Sequence, residues 1–70
     1  MLEFDGSKLK KLRRERKLKQ RELALLVGKE ARNIASYENG YGDPPAGVLL
    51  SLMTFFEASP RDIGKLKSAS

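Results

Sequence analysis

The sequence predicts an all-α fold of five short helices in one domain, and three observations carry that reading. Apolar residues recur at three- and four-residue spacing in separate segments along the chain. Glycine, proline and capping residues divide those segments. No stretch shows the sustained alternation of a half-buried strand, and neither a repeat nor an internal linker is visible.

Ser7 is expected to cap a first helix over residues 8–17, where Leu9 and Leu12 with Arg13 and Arg16 recur at helical spacing. Leu18 follows as a core residue in the connection. The run QRELALLV, residues 20–27, predicts a second helix with Leu23, Ala24 and Val27 as its inner stripe and Gly28 as its terminator. Leu25 and Leu26 fall off that stripe. A third helix is expected over residues 30–38, closed by Asn39 and Gly40, two residue types that tolerate left-handed backbone angles. YGDPPAG, residues 41–47, is a turn-rich loop whose Pro45 is a candidate first residue of helix four. In the following apolar stretch Val48, Leu49, Leu52, Met53 and Phe56 keep helical spacing, which makes that helix the floor of the core. Ser59, Pro60 and Asp62 combine an N-cap serine, a proline at the first helical position and an acid three residues after the cap. The fifth helix they announce is expected to run through Ile63 and Leu66, leaving residues 67–70 as a tail.

Seventy residues support only a marginal hydrophobic core, so stability must come from helix packing or self-association. With no cysteine and no histidine, disulfides, Cys/His zinc sites and Cys/His nucleophiles or bases are all excluded. No metal site, cofactor or small-molecule substrate is expected. The N-terminal MLEFDGSKLK carries charge where a signal peptide would be apolar, and no apolar run approaches the roughly 18 residues of a spanning helix. A cytoplasmic location without membrane contact is the expectation. Residues 1–35 hold eleven Lys/Arg against five Asp/Glu, hence +6, whereas residues 36–70 hold three against four, hence −1. Two readings of the basic half stay open: a solvated helix face, or a surface for a polyanion such as DNA, RNA or anionic lipid.

Around the third helix, Ile34, Tyr37, Glu38 and Ala31 share the inner side when residues are placed at about 100° intervals. Arg32, Ser36 and Lys29 fall opposite, with Asn33 and Ala35 on the flanks. Arginine can bond twice to guanine, asparagine twice to adenine, serine to either, and alanine can meet a thymine methyl. An exposed helix carries polar residues in any protein, so composition alone does not separate a base-reading face from a solvated one.

The organisation around that face is more specific. A helix, a turn at Gly28 and a second helix make a helix-turn-helix arrangement. The chain resembles the Cro/phage-repressor (XRE-like) type, through Leu9, Leu12, Arg13, Gln20, Leu23-Ala24, Val27-Gly28, Ile34, Glu38-Asn39-Gly40, Pro44, Leu49 and Leu52. This resemblance implies a five-helix lambda-repressor-like domain, with the third helix reading double-stranded DNA in the major groove for a transcriptional regulator, a repressor in particular. It places Ala31, Arg32 and Ser36 at base-reading positions, with Asn33 and Ala35 as neighbours. Gln20 and Asn39 match phosphate-contacting positions, and a helix N-terminus would favour an anion beside Gln20. Lys8, Lys10, Lys11, Arg14 and Lys29 are further phosphate candidates, each with solvent as the alternative. Arg13 and Glu38 match a structural pair joining helix one to the end of helix three.

Several positions depart from the family pattern. Lys17 stands where relatives carry glycine, Lys19 where a hydroxyl or amide cap is common, Lys29 where an apolar residue is usual, and Glu30 at the usual hydroxyl cap of the recognition helix. Tyr41-Gly42-Asp43 lacks the basic residues that often follow the Glu-Asn-Gly turn, which shifts backbone anchoring toward helix one. Leu25, Leu26, Leu50 and Phe55 lie outside the inner stripes and suggest a partner surface. Leu50, Phe55, Ile63 and Leu66 are the candidates for a homodimer interface. The competing function is a protein-interaction module, a coactivator or antitoxin-like partner, working through Leu25, Leu26 and Phe55. Every acid has a capping, pairing or surface explanation, so no enzyme is expected.

Overall fold

The computed structural model describes residues 2–66. In chain order the elements are β1 (Leu2–Phe4), α1 (Gly6–Glu15), α2 (Gln20–Leu26), α3 (Ala31–Glu38), α4 (Ala46–Phe56), α5 (Pro60–Ile63) and β2 (Gly64–Leu66). Residues 67–70, the expected tail, lie outside the described residues.

Four of the five helix starts are closed by one local side chain. Asp5, not Ser7, caps α1: its Oδ1 accepts from the Ser7 N–H at 3.0 Å and from the Ser7 hydroxyl at 2.6 Å. The helix therefore begins at Gly6, two residues before the expected start. Lys19 offers α2 no acceptor, yet Glu22 Oε1 takes the Lys19 N–H at 2.7 Å and closes the start from inside the helix. Asn33 does the same for α3, accepting from the Glu30 N–H at 3.1 Å, and Asp62 for α5, accepting from the Ser59 N–H at 2.8 Å. Pro45 precedes α4 as its N-cap instead of opening it.

The ends of α1 to α4 share one hydrogen-bond pattern. A left-handed residue, the one after the cap in α1 to α3 and the cap itself in α4, is followed by an N–H that donates back to the carbonyl five positions earlier: Leu18 to Arg13, Lys29 to Ala24, Tyr41 to Ser36 and Ala58 to Met53. The left-handed residues are Lys17, Gly28, Gly40 and Glu57, with φ of 56°, 71°, 79° and 53°. Asn39, expected to share that conformation, stays at φ −90°. Lys17 thus adopts a left-handed backbone that glycine would take without strain.

The strands were not expected. β1 and β2 pair antiparallel, with Leu2 opposite Leu66, Glu3 opposite Lys65 and Phe4 opposite Gly64. Three residues are too few to show alternation in sequence, and the pairing joins segments from opposite ends of the chain. Gly64 is required there, since a Cβ would lie 2.8 Å from the Pro60 carbonyl oxygen and 2.9 Å from that of Glu3. α5 accordingly stops at Ile63, and Leu66 belongs to β2.

The core consists of Leu9, Leu23, Ala24, Ile34, Tyr37, Leu52, Phe56 and Ile63, drawn from all five helices. Val48, Leu49 and Met53 of α4 line its edge. Phe55 joins them, contrary to its off-stripe position, because it stacks edge-on with Phe56 at 4.9 Å and lies under the Arg16 guanidinium at 5.7 Å. Ile63 is 2% exposed, which removes it from any free surface.

Candidate nucleic-acid interface

α3 is held from two sides. Ile34 and Tyr37 enter the core, while Glu38 at its last turn reaches a forked pair with Arg13 of α1. Arg13 Nε donates to Glu38 Oε2 at 2.6 Å and Nη2 to Oε1 at 3.0 Å, and Nη1 donates to the Leu18 carbonyl at 2.7 Å. The Glu38 hydrogen bond raises the Arg13 pKa above its ordinary value, against the opposing effect of burial, so the guanidinium stays charged. α1 can approach this end of α3 because Gly6 has no side chain: a Cβ would stand 2.0 Å from the Tyr37 carbonyl oxygen and 2.8 Å from that of Glu38.

This anchoring fixes which face α3 turns outward. The Arg32 side chain is 82% exposed, and Ala31, Asn33, Ala35 and Ser36 are half-exposed around it. Two of these side chains carry local duties that the sequence did not reveal. The Asn33 carbonyl oxygen is taken by the Glu30 N–H, so its amide is not free to grip adenine from both ends. Arg32 Nη2 lies 2.6 Å from Glu30 Oε2, an exposed pair across the start of the helix.

Gln20 opens α2 beside this face, and its Nε2 donates one hydrogen to Glu38 Oε1 at 3.2 Å. The second amide hydrogen remains for an outside acceptor, and the Arg13–Glu38 pair thereby orients Gln20 as well as α3. Asn39 is exposed beyond the end of α3, and Lys29 is half-buried in the turn before it.

The basic residues of α1 divide. Gly6, Lys10 and Arg13 share the side that meets α3, and Arg14 stands one turn beyond Lys10. Lys10 and Arg14 can therefore flank the α3 face. Lys8 cannot: its Nζ donates to the carbonyls of Gly64 at 2.6 Å and Arg61 at 3.0 Å, fastening α1 to the end of α5. Lys11 lines a hollow of about 310 Å³ with Lys8, Arg61 and Asp62 on the α5 side, and a second, shallow one with Lys10 and Arg14. Of the expected four, Lys8 is thus tied to α5, Lys10 and Arg14 can flank α3, and Lys11 stands between the two sides.

Comparison with known proteins bears on what such a face belongs to. The model of the helix-turn-helix domain matches residues 6–68. The chain belongs to the helix-turn-helix domain family. It is similar to the P22 c2 repressor protein, solved in complex with a synthetic operator, at 26% identity and a TM-score of 0.77, covering 83% of this chain and 88% of that one. It is also similar to the restriction-modification controller protein C.AhdI from Aeromonas hydrophila, at 30% identity and a TM-score of 0.72, covering 81% and 86%. A third likeness is to hydroxypropylphosphonic acid epoxidase from S. wedmorenis, at 24% identity and a TM-score of 0.76, where 86% of this chain matches 32% of the other. That last match shows the fold alone, as one part of a larger protein. No curated protein matches in sequence.

The family member described here has the five helices of the lambda-repressor-like arrangement plus the short β1–β2 ribbon. Among the described residues, no helix is long and apolar enough to cross a membrane.

Proposed function

We propose that the protein is a sequence-specific, double-stranded DNA-binding transcriptional regulator, acting in the cytoplasm as a repressor and reading the major groove with α3. One observation carries the reading: α3 buries Ile34, Tyr37 and Glu38 and leaves Arg32 standing in solvent. A fixed rod with an exposed forked donor suits a groove whose guanine edge presents two acceptors. The likeness to a repressor solved with its operator supports the same conclusion. Arg32, Ser36, Ala31 and Ala35 form the reading set, with Asn33 reduced to its remaining amide hydrogens. Gln20, Asn39, Lys10, Lys11, Arg14 and Lys29 are assigned to phosphates, and Lys8, held by the Arg61 and Gly64 carbonyls, is left out. The reading contains no catalytic step.

Two copies are proposed to bind adjacent half-sites, about 34 Å apart, as a symmetric dimer. Its surface is assigned to Leu50 and Leu66, 62% and 77% exposed, together with Leu2, which pairs with Leu66 across the ribbon. Selection of duplexes from a random pool tests both parts: a common site should emerge, with two-fold symmetry. Recovery of no common site, with binding that tracks salt alone, would sink sequence-specific reading. One observation favours a second function, a protein-interaction module: Leu25 and Leu26 on α2 are 82% and 55% exposed side by side. Tight protein binding with only nonspecific DNA affinity would select it.

A further inference from the structure

Within α3, Arg32 is the single cationic side chain, and its charge is met by Glu30 just before the helix begins. Glu30 is not needed there as a cap. The start of α3 is closed through the Glu30 backbone N–H and Asn33, and no hydrogen bond from the helix to the Glu30 carboxylate is present. Nor does packing force the pair, since the Arg32 and Glu30 side chains are 82% and 66% exposed. Such a solvent-exposed pair is weak enough to be rearranged on contact with a ligand. What it changes is which ligand the guanidinium accepts.

We propose that Glu30 is a specificity-determining residue, which stops Arg32 from serving as a general phosphate contact and reserves it for a guanine edge. This rests on the proposal that α3 reads DNA. A phosphate approaching Arg32 would bring a second anion to a guanidinium whose charge Glu30 already meets, and like charges held close together are costly. Guanine presents O6 and N7, two uncharged acceptors. A guanidinium has five N–H donors, so Arg32 can keep Glu30 on Nη2 while others meet the base. The carboxylate thus penalises the nonspecific partner more than the specific one, and selectivity is that difference. The usual hydroxyl at this position would impose no such penalty.

The experiment compares wild type, Glu30→Gln, Arg32→Ala and the double variant on the duplex selected by wild type and on a scrambled duplex, across salt. Glu30→Gln keeps the backbone cap and the side-chain shape, so thermal melting is expected to stay close to wild type. Its affinity for scrambled DNA is expected to rise roughly tenfold, with a salt slope steeper by about one unit. Affinity for the selected site is expected to change much less, so the selectivity ratio falls by several-fold. In the Arg32→Ala background the same substitution should leave the ratio unaltered. Equal changes on both duplexes overturn the proposal, as does a lowered melting temperature with an unchanged ratio, which would mark Glu30 as a partner of the helix dipole only. If wild type selects no site at all, α3 reading itself fails; if it selects one and Glu30→Gln keeps the ratio, only the role of Glu30 fails.

Discussion

Truncating Glu38 to alanine removes three acceptor contacts at once. Arg13 loses its Nε and Nη2 partners, Gln20 loses its Nε2 partner, and Arg13 retains only the Leu18 carbonyl. The pair is nearly dry: side-chain exposure is 10% for Arg13 and 1% for Glu38. Removing one member of a buried ion pair typically costs about 3–5 kcal/mol because the other is left uncompensated. Arg13 keeps one neutral acceptor and some contact with water, so the lower end, about 3 kcal/mol, is expected. A 70-residue domain has only about 4–10 kcal/mol in total, and the melting temperature should fall by roughly 12–24 °C. Urea melts followed by circular dichroism measure the change. DNA affinity should fall as well, since α3 and Gln20 lose their common support. Replacing both partners, as Arg13→Met with Glu38→Leu, should recover much of the stability, because an apolar pair has no charge to leave stranded. A Glu38→Ala midpoint equal to wild type, or a double variant no better than the single one, would refute this account of how α3 is held.

Gly6→Ala should destabilise by about 2 kcal/mol or more, since the new methyl meets the Tyr37 carbonyl and must push α1 off α3; a denaturation midpoint unchanged from wild type would contradict the close approach. Lys17→Gly should stabilise by roughly 0.5–1 kcal/mol, the relief of a left-handed non-glycine residue less the entropy of the unfolded glycine. Any loss of stability there would show that the Lys17 side chain contributes contacts of its own. Asp5→Ala should cost about 1 kcal/mol through the lost cap of α1. The Ser7 hydroxyl, as the largest cause, holds the Asp5 carboxyl below its ordinary value. Its contribution is therefore complete above about pH 4 and is lost as pH falls through the lowered value. Melts between pH 5 and pH 2 should be less steep in pH for Asp5→Ala than for wild type, and parallel curves would count against the cap. Arg14→Ala should flatten the salt dependence of DNA binding by about one unit without altering site preference, whereas Lys8→Ala should leave it unchanged; equal effects would undo the division of the α1 cations.

Amino-acid order alone settled the five helices, the turns at Gly28 and Gly40 and the main core positions, because periodicity, glycine and proline act over a few residues. It also gave Ile34 and Tyr37 as the inner side of the third helix, since a helix wheel needs no information from elsewhere. Resemblance paired Arg13 with Glu38, but no local rule joins residues from α1 and α3. The ribbon, the Gly6 approach and the tether of Lys8 all depended on segments distant in sequence meeting in space. That is why Lys8, a phosphate candidate by charge alone, is instead tied to an α5 seam while Lys10 and Arg14 can flank α3. Glu30, Arg32 and Asn33 form the instructive exception: their partners are two or three residues away, yet residue type left each with several roles. Backbone geometry at the start of α3 decided among them, giving the cap to Asn33 and leaving the carboxylate to Arg32. Local chemistry therefore fixed which elements form, while their packing chose which of several possible partners each charged side chain meets.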